Sequence, residues 1–154
     1  MRIIALLCVL MALFACTAKA PEFTETDEAE LMKLIEGNME ELITSASELS
    51  TDALDEFLAP GPDKNFFMAG AAYTKDELIS AVKADYKGFT SQKLSILDHN
   101  IKIIDANTVL WTALIAASSI YNEGTEESMN FTDTWYWEKS GDTWQVSHFH
   151  ESWE

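Results

Sequence analysis

Apolar residues recur at helical spacing between residues 24 and 47. Leu31, Leu34, Ile35, Leu42 and Ile43 form one stripe and acidic residues the opposite face, with Thr24 or Thr26 available as N-cap, so an amphipathic helix is predicted here. A second, short helix is predicted to start near Ser50 or Thr51. It runs through Leu54, Phe57 and Leu58 until Pro60-Gly61-Pro62 breaks it. Phe66-Phe67-Met68 reads as a small strand in a loop or short hairpin, closed by Gly70 before Tyr73. Thr74-Lys75-Asp76-Glu77 is a capping box, in which hydroxyl and carboxylate satisfy reciprocal backbone donors. Leu78, Ile79, Val82, Tyr86 and Phe89 follow as one face of a third helix.

After Gly88 the period drops to two and β-branched and aromatic residues become frequent. Strands are predicted over residues 93–104, 108–121, 128–139 and 143–153, with turns at Asp105-Ala106-Asn107, Asn122-Glu123-Gly124 and Ser140-Gly141. Connections this short join antiparallel neighbours. Helices first and a long antiparallel sheet after them give an α+β domain, with the helices packed on one face of a curved sheet. There is no repeat, low-complexity run or second domain.

The N-terminus reads as an address. Arg2 precedes an apolar run from Ile3 to Phe14 that is too short to span a bilayer and matches the apolar region of a secretory signal. Two cleavage sites compete, one after Ala18-Lys19-Ala20 and one before Cys16. Leu13-Phe14-Ala15-Cys16 resembles the bacterial lipoprotein motif, apart from the bulky Phe14, and is the preferred reading. The expected organisation is a signal peptide over residues 1–15, a lipidated tether over residues 16–25 and a domain over residues 26–154. The acidic stretch of residues 22–30 suits a solvated spacer. The exported protein would sit at the cell envelope, held to the membrane only by lipid on Cys16, or else be periplasmic or secreted. Cys8 leaves with the leader, so neither a cysteine nucleophile nor a cysteine-ligated zinc is available afterwards.

Charge narrows the partners. The net charge of -16 becomes -17 when Arg2 is removed, and no arginine remains. Such a surface repels phosphate backbones, so no nucleic-acid partner is expected. Without a glycine-rich phosphate loop, phosphoryl transfer is disfavoured too. No cofactor is implied.

All five tryptophans and all three histidines lie between His99 and Trp153. Alternation along the last strand puts Trp144, Val146, His148, His150 and Ser152 on one face and Gln145, Ser147, Phe149, Glu151 and Trp153 on the other. On the preceding strand Phe131, Asp133, Trp135 and Trp137 share a face. A metal could be imagined on His148 and His150 with His99 or Asp133, but two-residue strand spacing separates side chains by about 7 Å, wide for co-ligation. No metal site is expected.

The run Trp144-Gln145-Val146-Ser147-His148-Phe149-His150-Glu151-Ser152, with Thr132-Asp133-Thr134-Trp135 and the Ser140-Gly141 turn before it, resembles the terminal hairpin of the SnoaL-like and nuclear transport factor 2-like superfamily. It is similar in particular to the calcium/calmodulin-dependent kinase II association (hub) domain branch. Helix order and the Thr74 capping box agree, so the resemblance covers roughly residues 26–153, although only the last twenty or so are specific. The resemblance implies a cone with an internal pocket, and a homodimer formed through the sheet. It places His148, His150 and Ser152 near the pocket, Tyr73 at its mouth, and Asp133 where the hub domain has an arginine. That departure puts carboxylate binding in doubt, because the bidentate donors are gone.

Two main function classes follow. One is a binding module whose aromatic walls, Trp135 among them, and carboxylate favour a small apolar or weakly cationic molecule. The other is an isomerase or cyclase in which Asp133, His148 or His150 abstracts a proton next to a carbonyl. A dimeric assembly module is a third possibility. Fold alone does not choose among them.

Overall fold

The computed structural model describes residues 23–63 and 65–153. The leader, Cys16 and most of the expected tether lie outside the described residues.

Helix α1 spans Glu25–Ser47, and Thr24 caps it through a capping box with Asp27: the Thr24 N–H donates to Asp27 Oδ2 at 2.8 Å and the Asp27 N–H to Thr24 Oγ1 at 3.3 Å. The acidic segment expected to be a spacer is therefore helical from Glu25 onward. Leu31, Ile35, Met39 and Leu42 form the buried stripe, whereas Leu34 is 47% exposed. Helix α2, Asp52–Phe57, is followed by an extended Leu58 that bridges to Val146. Strands β1 (Phe66–Met68) and β2 (Ala71–Tyr73) form a hairpin. Its two-residue loop, Ala69-Gly70, has φ of 52° and 76°, the positive pair that lets a tight turn follow strand twist. Helix α3, Lys75–Tyr86, starts from the Thr74–Glu77 capping box, and Phe89 already belongs to the next strand.

Strands β3 (Phe89–Asp105), β4 (Thr108–Tyr121), β5 (Glu126–Ser140) and β6 (Thr143–Trp153) form an antiparallel meander. The sheet order is β2-β1-β6-β5-β4-β3, and β1 runs parallel to β6 while the other neighbouring strands are antiparallel. Register shifts interrupt β3 against β4 at three places and β5 against β6 between Tyr136 and Trp137. Each extra residue bends its strand, so the long sheet curves around the helices.

The concave face is filled unevenly. At one end Trp111, Trp137, Val109 and Val146 pack against Ile35, Met39 and Leu58, all at most 1% exposed. Phe57 meets Trp137 edge-on, ring centroids 5.5 Å apart. Toward the other end the inward residues of β4 become Ala117 and Ser119, too small to reach the helices. The C-terminal end of α1 is nevertheless fixed to β3 there: the Leu94 N–H donates to Ser47 Oγ at 3.1 Å and Gln92 Nε2 to the Ala46 carbonyl at 3.0 Å. Helix and sheet are thus held apart with small residues between them, and a cavity results. No helix among the described residues is long and apolar enough to cross a membrane.

Candidate functional site

The cavity has a volume of about 460 Å³, within the range of small-molecule sites. Leu42 and Ile43 of α1, Leu78, Val82 and Tyr86 of α3, and Met129, Phe131, Trp135 and Phe149 of the sheet make it largely apolar. Into this wall β5 sets Asp133 and β6 sets Glu151, direct partners in the ladder. Directly opposed residues hold their Cβ atoms about 4.5–5.5 Å apart, so the two carboxyls belong to one site.

Asp133 is only 4% exposed. Its Oδ2 accepts from Trp135 Nε1 at 3.2 Å, while Oδ1 is buried with no hydrogen-bond partner. Burial, and after it the charge of Glu151, push the Asp133 carboxyl well above the usual carboxylate range, against the Trp135 hydrogen bond. Glu151 is shifted upward as well, again by burial, with the hydrogen bond that Trp153 Nε1 donates to Oε1 working the other way. Tyr86 is pushed up to about 12, mainly by burial, so its phenol stays protonated. A hydrogen bond with Gln92 opposes that shift. Gln92 also accepts from Ser119 Oγ at 3.3 Å, which fixes the polar wall beside Tyr86. Tyr121 donates to Glu127 Oε2 at 2.7 Å at an exposed part of the same wall.

The charge inventory is one-sided. Asp85, Glu127, Asp133 and Glu151 line the cavity, and no lysine, arginine or histidine lines it among the described residues.

The sequence model of the SnoaL-like domain matches residues 35–153. The chain belongs to the SnoaL-like domain family. Solved structures share its fold. A nuclear transport factor 2-like superfamily protein from Salmonella enterica superposes with a TM-score of 0.75 at 12% identity, over 82% of this chain and 92% of that one. A hexachlorocyclohexane dehydrochlorinase from Novosphingobium barchaimii gives 0.74 at 10% identity, over 85% and 91%. The association domain of CaMKII from C. elegans gives 0.63 at 14%, over 84% and 99%. No curated protein matches the sequence. At these identities the solved structures establish the nuclear transport factor 2-like fold and leave the chemistry to the residues present.

The SnoaL-like domain brings some of the sequence-predicted site residues together and separates others. Asp133 and Trp135 are in the cavity wall; His148, His150 and Ser152 are not. The expectation that those three face the pocket is corrected by one bulge. Trp137 pairs with Val146 and Tyr136 with His148, so Ser147 is the extra residue and the parity of β6 inverts there. Val146 is buried on the concave side before the bulge, and Phe149, Glu151 and Trp153 turn inward after it. His148 and His150 do share a face, the outer one, where both rings pack against Phe67 at centroid distances of 5.5 and 6.2 Å. Burial and the neighbouring His150 lower the His148 pKa. His99 sits elsewhere, stacked on Trp111 and 3.8 Å from Glu36. No group of three or more histidine, cysteine, aspartate or glutamate residues among those described is arranged to hold a metal. Tyr73 is half-buried on β2 outside the lining, and the tyrosines of the wall are Tyr86 and Tyr121.

Glu151, Trp153, Tyr86 and Gln92 were not singled out by sequence reasoning. A signal for the first two exists: Asp133-Thr134-Trp135 and Glu151-Ser152-Trp153 repeat an acid followed at the second position by tryptophan.

Proposed function

We propose that this SnoaL-like domain binds a small organic cation with an apolar body, held in the cavity by Asp133. The observation that carries this reading is the wall itself, four carboxylic acids and, among the described residues, no cationic side chain around an apolar, aromatic space. A buried carboxylate without a counter-charge is costly, and that cost is what raises the Asp133 carboxyl well above the usual carboxylate range. A ligand cation offsets the same cost. At about 4 Å and an effective dielectric of roughly 20, two opposite unit charges attract by about 4 kcal/mol. Aromatic faces such as those of Phe131, Trp135 and Phe149 add a cation–π contribution.

A second reading is supported by Asp133 Oδ1. A buried carboxyl oxygen with no partner and a raised pKa is suited to accept a proton from a substrate carbon, with Tyr86 as a hydrogen-bond donor in the same wall. One structural neighbour is by name a dehydrochlorinase. Four carboxylic acids in the wall favour a bound cation over a developing anion, which makes binding the better-supported function.

Lipidation at Cys16 and display of the domain at the cell envelope belong to the same proposal, as does a homodimer through the outer sheet face. The lipobox-like Leu13-Phe14-Ala15-Cys16 supports the first. Exposed Leu97, Leu114 and Ile120 on the sheet support the second.

The test is a thermal-shift comparison of three probes of one chain length, n-hexylamine, 1-hexanol and hexanoate. Hexylamine should raise the melting temperature most, because a ligand that binds only the native state stabilises it. Stabilisation by hexanoate equal to that by hexylamine would overturn the cation reading.

A further inference from the structure

We infer that the cavity selects a protonated primary amine over a quaternary ammonium of the same shape, because Asp133 Oδ1 is buried without a hydrogen-bond donor and Glu151 sets a second carboxyl beside it. The inference rests on the cation reading above and goes further, to the chemistry of the cationic head.

The two strands carry the same device in opposite directions. On β5 the Trp135 indole N–H donates to Asp133 Oδ2, and on β6 the Trp153 indole N–H donates to Glu151 Oε1. Because Asp133 and Glu151 are ladder partners, the two devices face each other. Each indole takes one oxygen of its carboxyl and fixes the orientation of the group. What remains on Asp133 is Oδ1, buried and without a partner, and Glu151 sets a second carboxyl beside it on the same rung.

A carboxylate oxygen buried in an apolar wall is satisfied by a hydrogen-bond donor. A primary ammonium brings three, enough to reach both carboxyls at once, with charge assistance on each bond. A trimethylammonium head has the same charge and none of the donors. It could use the aromatic wall but would leave Asp133 Oδ1 unsatisfied. In an aromatic cage without such carboxyls the preference would run the other way. Glu151 is accordingly a specificity-determining residue, and Trp153, which lies at the exposed end of β6 and is 52% exposed, a positioning residue for it.

The experiment is calorimetric titration of the full domain with n-hexylamine and N,N,N-trimethylhexylammonium at a pH where the amine is protonated. The amine should bind about tenfold more tightly or better, the worth of one charge-assisted hydrogen bond. Glu151→Met should remove most of that ratio. Trp153→Phe, which keeps a ring and deletes the N–H, should reduce the ratio by weakening the amine more than the trimethylammonium compound. That split separates orientation of a carboxyl from mere packing, which would weaken both probes alike. Equal or tighter binding of the trimethyl compound by the unmodified domain overturns this inference and leaves the cation reading standing. Failure of both cations to bind, with 1-hexanol binding, overturns the two together.

Discussion

Asp133 and Glu151 occupy one rung of the β5–β6 ladder, and each carboxyl accepts the indole N–H of the tryptophan two residues further along its own strand. The relationship joins sequence to chemistry. Period-two alternation aims acid and tryptophan to the same side, antiparallel register brings the two acids together, and burial under α1 and α3 raises the pKa of both.

Stability should depend on pH through this pair. A carboxyl whose pKa is raised on folding favours the native state while it is protonated in both states. That advantage is lost as pH rises from the unfolded carboxylate value through the raised native one. Burial first, and Glu151 second, raise Asp133, so the protein becomes less stable through that window. Asp133→Asn should remove most of the slope and melt above the unmodified protein at neutral pH, by about 2–4 °C for each kcal/mol recovered. The residual slope belongs to Glu151, raised in the same direction. Melting curves across pH check this, and superimposable profiles for the two proteins would refute it.

Filling the cavity should trade binding for stability. Ala117 lines it from β4. Ala117→Leu adds three carbons at about 0.8 kcal/mol per buried CH₂, an upper limit of roughly 2 kcal/mol in chemical denaturation. The same variant should bind hexylamine at least tenfold more weakly, through lost volume. A variant that is both destabilised and fully competent to bind would mean the space is not the ligand site.

The outer histidines should be dispensable for binding. His148→Ala and His150→Ala act on the far side of the sheet, against Phe67, and should leave the affinity for hexylamine within about twofold. His148 has its own pH signature. A base lowered on folding contributes stability that is present above its unfolded value and lost as pH falls, opposite in sense to Asp133. A large loss of affinity in either variant, with the fold intact by circular dichroism, would return the site to the histidine face.

Envelope attachment should depend on one sulfur. Cys16→Ser in the full chain should abolish labelling by a radioactive fatty acid and move the protein from the membrane fraction to the soluble fraction. Unchanged fractionation would show that Cys16 is not the anchor.

Much of this architecture was legible in the sequence because the signals are local. Both long helices begin at capping boxes or caps readable from four residues, and the inward face of β5, Phe131, Asp133, Trp135 and Trp137, follows from alternation alone. Alternation failed on β6 because it cannot register an inserted residue. Ser147 shifts every later side chain by one, which exchanged the histidines for Phe149, Glu151 and Trp153. The parallel pairing of β1 with β6 joins segments about eighty residues apart, and no turn chemistry encodes it. Spacing alone assigns Leu34 to the helix stripe, yet it faces solvent. Nor could Ala117 and Ser119 be read as a cavity wall, since a small residue makes a void only when the element opposite is held away from it.

The central claim, that Asp133 anchors a cation, is tested most directly by titrating the unmodified domain and Asp133→Asn with n-hexylamine and 1-hexanol at neutral pH. The account predicts that the unmodified domain prefers the amine by about tenfold or more, and that Asp133→Asn reverses the order by losing the amine while keeping the alcohol. An identical preference in the two proteins would contradict it.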